Sequence, residues 1–395
     1  MNRRLEIMLG SKTKALIQKA KEMKRKDPGI IALDAGEPDF STPDRISMAT
    51  IRSLSQGNTH YGGGGGVGVK ELREAIAKKL HDENKIAVDA KHIIVTPGAK
   101  YAIYTAVNSL LNEGDEAMIL EPSWLSYRPI VQTAGAVPVG VSLDRENGYK
   151  ITRAVLDRSV TEKTRLLLIN YPNNPTGCVL HEDEADIIEQ FLLEHPDIYV
   201  ISDEIYEAIV FDGLKNVSLG ARPDIARRVV TVNGFSKCVA MTGWRLGYLA
   251  APDDLFIKCA SSLFRETMTC SCGFLQRGAL EAFKCGAEIE EMRKTYQHRR
   301  DMFIGALNKI DGVQCQIPQG AFYAWTFFNG LGMTSTEMFS YLLHEYKVFG
   351  IPGTEYGDQE HCCIRFSFAT SDHILAEAAE RIGKAVAALR EKARS

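Results

Sequence analysis

Side chains with useful chemistry follow a series of short apolar segments between residues 90 and 250. They occur in chain order: Gly98-Ala99-Lys100, Trp124, Asn174, Asp203 with Tyr206, and Lys237 with Arg245 eight residues further on. Small residues that open a helix can bind a phosphate through free backbone N–H groups. An aromatic ring can stack on a flat ligand, and a lysine can form a Schiff base with an aldehyde. Together these residues predict a pocket for a flat, phosphorylated aromatic aldehyde that contains a ring nitrogen.

Pyridoxal 5'-phosphate (PLP) is a cofactor with these features. It requires a lysine for its Schiff base, a carboxylate that keeps its pyridine nitrogen protonated, and donors at its phenolate oxygen. Each residue alone has a plainer explanation, because a strand-end aspartate often caps a helix and a single tryptophan usually packs in the core. The combination on successive segments favours a PLP site.

The apolar segments themselves predict the sheet that would position these residues. Six of them have the pattern of short buried strands: HIIVTPGA, EAMILEP, TRLLLINYP, IYVISDEIY, VVTVNGFSK and GYLAAP. Amphipathic or alanine-rich stretches such as KYAIYTAVNSLL and DEADIIEQFLLEH lie between them. This alternation predicts an α/β fold with a mainly parallel sheet flanked by helices, which binds its ligand at the carboxyl edge of the strands.

The end of the chain has a different pattern. EAFKCGAEIEEMRKTYQHRRDMFIGALNKI predicts one long helix, and short strands are expected around GAFYAW and CCIRFSFA. A final helix would carry apolar residues along one face: Leu375, Ala379, Ile382, Val386 and Leu389. These elements predict a second, smaller α+β unit.

A run of five glycines at residues 62–66 suggests another kind of site. Gly63, Gly65 and Gly68 satisfy G-x-G-x-x-G, but a dinucleotide site of that type must follow a strand and open a helix. TIRSLSQGNTHY, which precedes the run, does not have the pattern of a buried strand. The run also lacks the Gly-Lys-Ser/Thr of a Walker loop. We therefore interpret it as a turn before the helix KELREAIAKKL, and a nucleotide-dependent oxidoreductase would leave Lys237 unexplained.

Composition argues against several other classes of protein. Lysine and arginine total 47 and aspartate and glutamate 50, so the net charge of −3 gives no reason to expect a nucleic-acid partner. No apolar run approaches the roughly 18–20 residues of a membrane span, and the first residues lack a secretory core. Nine scattered cysteines, without zinc-site spacing, are typical of reduced thiols. We expect a cytoplasmic enzyme without a metal.

Segments along nearly the whole chain resemble those of the fold-type I aminotransferases. They are ALDAGEPDF, GAKYAIY, NYPNNPTG, SDEIY, FSKCVAMTGWRLGY, GAFY and IRFSFA. The resemblance is closest to the prokaryotic-type aspartate aminotransferase branch of class I. It implies the PLP transferase fold, with a large PLP-binding domain at 41–282, a small domain at 283–395, and an N-terminal segment, 1–40, that forms an arm or lid and part of the small domain.

The resemblance also implies which residues contact the cofactor's ring. Lys237 would form the aldimine, and Asp203 would pair with the pyridinium nitrogen. Asn174 and Tyr206 would contact the phenolate oxygen, while Trp124 would stack on the ring.

For the phosphate, the resemblance implies a helix N-terminus formed by Gly98-Ala99-Lys100, with Arg245 adding a charge-assisted contact. The position three before the lysine, often serine in the family, is Gly234, so one hydroxyl is either missing or supplied by Ser236. Tyr61 matches a tyrosine that reaches the phosphate of the partner subunit. That match implies a homodimer with shared active sites, although the glycine run after Tyr61 is longer than is usual in the family.

On the substrate side, Arg365 matches the arginine that forks onto the α-carboxylate of an amino acid, helped by the Gly36 backbone, Asn174 and Trp124. The implied reaction is ping-pong amino transfer between an L-amino acid and a 2-oxo acid. Aspartate or glutamate is the first expectation, followed by aromatic or small neutral amino acids.

The side-chain pocket would be lined by the N-terminal segment around Ser11 and Thr13, by the helix after Lys100 and by residues of the partner subunit. Arg128 and Arg265 are candidates for binding an acidic side chain. The simpler alternative for each is a surface arginine that contacts only solvent. The same scaffold supports β-elimination of sulfur amino acids and ring-forming eliminations, so a PLP-dependent C–S β-lyase or another α/β-elimination enzyme is the alternative activity. A transcription regulator would need a DNA-binding domain ahead of these segments, and none is expected.

Overall fold

The computed structural model describes residues 12–61, 65–357 and 361–394, with backbone alone for 12–14 and 394. Its helices, in chain order, are α1 Lys12–Lys26, α2 Asp44–Ser55, α3 Lys70–Asp82, α4 Ala99–Leu110, α5 Tyr127–Thr133, α6 Arg153–Asp157, α7 Glu182–Glu194, α8 Asp254–Met268, α9 Gly273–Ala279, α10 Gly286–Leu307, α11 Ser335–Tyr346 and α12 Asp372–Arg394. The strands are β1 Ile31–Ala32, β2 Ile93–Thr96, β3 Glu116–Glu121, β4 Val137–Ser142, β5 Thr164–Asn170, β6 Tyr199–Asp203, β7 Val229–Gly234, β8 Gly247–Ala250, β9 Val313–Cys315, β10 Tyr323–Phe328, β11 Val348–Phe349, β12 Ile351–Pro352 and β13 Cys363–Ser367.

The main sheet has seven strands in the order β2-β8-β7-β6-β5-β3-β4. Its pairings are parallel except those of β8, which is antiparallel to both neighbours. The six strands expected from the sequence are all present. The edge strand β4 escaped prediction because Pro138 and Gly140 interrupt its apolar alternation.

Helices cover both faces of this sheet, as β5 illustrates. Leu166 and Leu168 belong to one buried cluster with Ile103 of α4, whereas Leu167 and Ile169 belong to another. Alternate side chains of one strand therefore enter different cores, which explains why the strand is apolar without interruption. The predicted α/β class is confirmed.

The later part of the chain forms an antiparallel sheet of four strands in the order β12-β13-β10-β9. The N-terminal strand β1 pairs with β11 in a separate, parallel sheet of two strands. The predicted long helix is shorter than expected: α10 begins at Gly286, after a 3₁₀ turn at Leu280–Lys284. Gly286 and the preceding Cys285 have low helix propensity, which favours a break there.

Within the described residues, no helix combines the length and the apolar character needed to cross a membrane.

Candidate active site

A cavity of about 960 Å³ opens at the carboxyl edge of the main sheet. Its walls include most of the predicted site residues: Gly36, Ala99, Lys100, Trp124, Asn174, Asp203, Tyr206, Ser236, Lys237, Arg245 and Arg365. Gly98 lies beside this wall, under Arg245. Tyr61 does not line the cavity of its own chain, and its side chain is 85% exposed.

Lys237 lies on the turn after β7, with its amine inside the cavity. Its Nζ donates a hydrogen bond to the carbonyl oxygen of Gly36. Burial lowers the pKa of Lys237 to about 8; the guanidinium groups of Arg365 and Arg245 act in the same direction, and Glu37 opposes them. An amine with this pKa is partly unprotonated near neutral pH, so it can act as a nucleophile and as a base.

Asp203 ends β6 at the floor of the cavity and is almost fully buried. Its Oδ2 accepts a hydrogen bond of 2.7 Å from the Tyr127 hydroxyl, and its Oδ1 accepts one of 3.2 Å from the Ile205 N–H. Burial raises the pKa of Asp203 to about 6, and the two hydrogen bonds limit this increase. A buried carboxylate of this kind favours a cationic ligand atom. Tyr127 was not predicted, because nothing in SWLSYRP indicates which side chain it contacts.

A positively charged recess lies at the start of α4. Gly98 has a φ of 85°, and a Cβ there would lie 2.5 Å from Arg245 Nη2. A Cβ at Gly247 would lie 2.5 Å from the Ala99 nitrogen. These two glycines therefore let the guanidinium group and the helix start approach each other. The free N–H groups of the helix, Arg245 and Lys100 suit a phosphate, since the first turn of α4 contains no acidic residue.

Gly234 has a structural reason for departing from the family pattern. A Cβ at this position would lie 2.8 Å from the Gly247 Cα, so serine would not fit without a backbone shift. Ser236 is buried and lines the cavity, where its hydroxyl can make the phosphate contact that a serine at position 234 makes in the family.

Arg365 is carried by β13 on the opposite side of the cavity and is almost fully buried. Its Nη1 donates to Asn174 Oδ1 at 3.0 Å and its Nη2 donates to the Asp34 carbonyl oxygen at 2.6 Å. Its Nε has no hydrogen-bond partner among the described residues. The guanidinium group lies 4.2 Å from the centre of the Tyr323 ring. Within the described part of the chain this buried cation has neutral oxygens and no carboxylate as partners, so it is suited to bind a carboxylate.

The hydroxyl groups of Tyr206 and Tyr323 are 2.6 Å apart. Burial raises the pKa of both phenols, so each stays protonated and can donate. The side chain of Tyr323 also limits position 36, because a Cβ on Gly36 would lie 3.0 Å from its hydroxyl. Tyr323 was not assigned a role from the sequence, although it lies within the recognised segment GAFY.

The two arginines considered for acidic side chains do not line the cavity. Arg128 Nε pairs with Glu121 Oε1 at 2.7 Å, and Arg265 Nη1 donates to the Gly65 carbonyl oxygen at 3.5 Å. Basic residues of α1 line the cavity instead: Lys21, Lys24 and Arg25. Sequence reasoning missed them because their helix contains many basic residues, which the pattern alone assigns to solvent. Ser11 and the side chain of Thr13 lie outside the described residues.

Comparisons with known proteins agree with this geometry. Residues 28–382 match the family described as aminotransferase class I and II. An aspartate aminotransferase of Musicola paradisiaca is 42% identical over 379 residues, covering 95% of this chain and 94% of that protein. An aromatic-amino-acid aminotransferase of Thermococcus litoralis is 38% identical, covering 96% and 97%. The structure of Thermus thermophilus aspartate aminotransferase with maleate superposes with a TM-score of 0.90 at 35% identity, covering 98% of this chain and 99% of that one.

Proposed function

The chain belongs to the class I and II aminotransferases and is a PLP-dependent aminotransferase, and we propose that its preferred amino donor is a dicarboxylic L-amino acid, aspartate or glutamate. The observation that carries the proposal is the charge of the cavity wall. Arg365 suits one carboxylate, and Lys24 and Arg25 of α1 offer cations for a second, whereas Lys21 is paired with Asp34 at 3.1 Å. The Musicola relative is named an aspartate aminotransferase, which supports this choice.

The residues present fit the cofactor. The cradle beneath Arg245, which a Cβ at Gly98 would fill, suits its phosphate, and the buried carboxylate of Asp203 suits its ring nitrogen. We assign Trp124 to ring stacking and Tyr206 with Asn174 to the phenolate oxygen. When bound, PLP supplies the carbonyl that takes up the amino group and a protonated ring that withdraws electrons.

Lys237 is the proton carrier in this proposal. With a pKa of about 8, the Lys237 amine can take the proton from the substrate's α-carbon as a base. As an acid, the same amine would then deliver that proton to the carbonyl carbon of the cofactor. The Gly36 carbonyl, which accepts a hydrogen bond from Nζ, helps to orient the amine. Burial, with a smaller contribution from Arg365 and Arg245, keeps the pKa of Lys237 near neutrality, so little free energy is lost in either direction of proton transfer.

The N-terminal segment links the substrate side of the cavity to the phosphate side. Asp34 contacts Arg365 through its carbonyl oxygen, while Glu37 Oε2 accepts a hydrogen bond of 3.0 Å from Thr242 Oγ1. Thr242 in turn accepts a bond of 2.7 Å from Arg245 Nη1 through its carbonyl oxygen. The segment can therefore orient both anion-binding arginines, which supports its proposed role as a lid.

We further propose that the enzyme is a cytoplasmic homodimer, with Tyr61 completing the partner's phosphate site. The high exposure of Tyr61 supports this, because a tyrosine that serves its own chain would line its own cavity. We keep the division into 1–40, 41–282 and 283–395 as a proposal; the pairing of β1 with β11 supports placing part of the N-terminal segment with the small domain.

The donor proposal is tested by following oxo acid formation from single amino acids with a fixed oxo acid acceptor. Aspartate or glutamate should have the highest kcat/KM, with aromatic and small neutral amino acids about tenfold or more lower, since an unfilled cationic subsite gives little binding. A higher kcat/KM for an aromatic donor would contradict the proposal and favour an aromatic-amino-acid aminotransferase, as the Thermococcus relative is named. The relatives cited are named aminotransferases and lend no support to the lyase alternative; ammonia without oxo acid exchange would be its signature.

A further inference from the structure

A second cavity, of about 650 Å³, lies behind the turn that carries Lys237. Gly234, Phe235 and Cys238 line this second cavity, whereas Ser236 and Lys237 line the first. The turn therefore forms a wall between the two. Cavities of about 300–1,000 Å³ commonly bind small molecules, and none of the groups assigned above to cofactor or substrate binding lines this one.

One side of the second cavity is aromatic. The ring centres of Phe235 and Phe283 are 5.8 Å apart in an edge-to-face arrangement, and those of Phe235 and Tyr248 are 6.3 Å apart. Phe283 is 38% exposed although its neighbours in this cluster are buried. Edge-to-face aromatic clusters with one open side can add a further ring at little cost.

The hydroxyl of Tyr248 is a polar group on the aromatic side of this cavity. Tyr248 lines the cavity and is 4% exposed. Among the residues that the structure describes, none forms a hydrogen bond with this hydroxyl. The hydroxyl is therefore free to form a hydrogen bond with a polar group on a bound ring.

The polar side of the cavity carries both signs of charge. Lys79 pairs with Glu207, and Arg293 Nε pairs with Glu290 Oε2 at 2.7 Å. Lys215 is exposed and has no ion pair within the described part of the chain.

Glu83 also lines this side, where its Oε2 lies 3.7 Å from Lys79 Nζ in an ion pair. The Glu83 side chain is 68% exposed, so its carboxylate can still accept from a ligand. Lys215 and Glu83 therefore offer the cavity one charge of each sign, which suits a zwitterion.

We propose that this cavity is a second binding site, distinct from the active site, for an aromatic amino acid. The ring lies against Phe235 and Phe283, a ring hydroxyl meets the Tyr248 hydroxyl, and the carboxylate and ammonium groups face Lys215 and Glu83. The inference does not rest on which amino acid is the donor in the active site.

The test is calorimetric binding of L-tyrosine to borohydride-reduced holoenzyme, which cannot transaminate, so that a failure here leaves the donor assignment untouched. Gly286→Leu adds a side chain to the cavity lining at a position where a Cβ meets no atom within 4 Å, and so narrows the cavity without a clash. It should weaken the second-site affinity about tenfold or more. Tyr248→Phe should weaken it about three- to tenfold, the effect of one hydrogen bond.

Unchanged transamination and unfolding midpoint in Gly286→Leu would show that the variant is intact. L-alanine, which has the same zwitterion without a ring, should not bind this site. Equal tyrosine affinity in the wild type and Gly286→Leu, or no binding apart from the active site, would overturn the proposal.

Discussion

Replacing Tyr127 with phenylalanine removes the hydroxyl that donates to Asp203 Oδ2 at 2.7 Å and leaves the ring in place. A hydrogen bond to a charged group contributes about 1.5–3 kcal/mol, and about 1.4 kcal/mol corresponds to one pKa unit. The bond stabilises the ionised carboxylate, so its loss raises the pKa of Asp203. From about 6 in the wild type, the pKa should rise by roughly one to two units in Tyr127→Phe.

The assay is the dissociation constant of PLP measured across pH, because the ionised carboxylate is the form that holds the cofactor's ring nitrogen. Asp203 has a folded-state pKa above its ordinary value, and the ionised form is lost as pH falls through it. Wild-type affinity should therefore weaken below about pH 6. In Tyr127→Phe the weakening should begin roughly one to two units higher.

A matched control removes a phenol hydroxyl far from the site. Tyr341 donates to the Ala385 carbonyl oxygen at 3.5 Å and does not line the cavity. Tyr341→Phe should keep the wild-type profile. If Tyr127→Phe also kept it, or moved to lower pH, the proposed coupling between Tyr127 and Asp203 would be wrong.

Two further variants test separate parts of the site, and a third tests an ion pair outside it. Arg365→Lys replaces a planar fork by a point charge and should raise KM for the amino acid roughly tenfold or more, with PLP affinity unchanged; an unchanged KM would reject the carboxylate assignment. Gly98→Ala places a Cβ 2.5 Å from Arg245 Nη2 at a φ of 85° and should weaken PLP binding by about tenfold in dialysis measurements; full affinity would argue against the phosphate cradle. Arg299→Gln breaks a 2.8 Å ion pair with Asp39 and should lower the free energy of unfolding by about 1–3 kcal/mol in urea titration. An unchanged free energy of unfolding would show that the ion pair does not contribute to stability.

The sequence was sufficient for six of the seven strands of the main sheet and for the residues at their ends. Uninterrupted apolar segments predict buried strands, and parallel strands bring their carboxyl ends together, so Asp203 and Lys237 were expected in one cavity before any distance was known. Arg365 came from the resemblance alone, since no pattern relates β13 to the carboxyl edge of a different sheet.

Other residues could not have been found in this way. Tyr127 and Tyr323 act through contacts across the fold, and their spacing says nothing about their partners. Arg128 was considered a substrate ligand, but its partner Glu121, at 2.7 Å, lies on a neighbouring element. The 3₁₀ turn ahead of α10 depends on local backbone geometry that helical periodicity does not report.

The measurement that tests the central claim most directly is the position of covalently trapped cofactor. Borohydride reduction of the PLP-loaded protein fixes the cofactor to the lysine that holds it, and peptide mass spectrometry locates that lysine. The label should lie on Lys237 and be absent from Lys237→Ala, while Lys78→Ala, which removes an exposed amine, should label as the wild type does. A label on Lys100, which lines the same cavity, or no label at all would contradict the account.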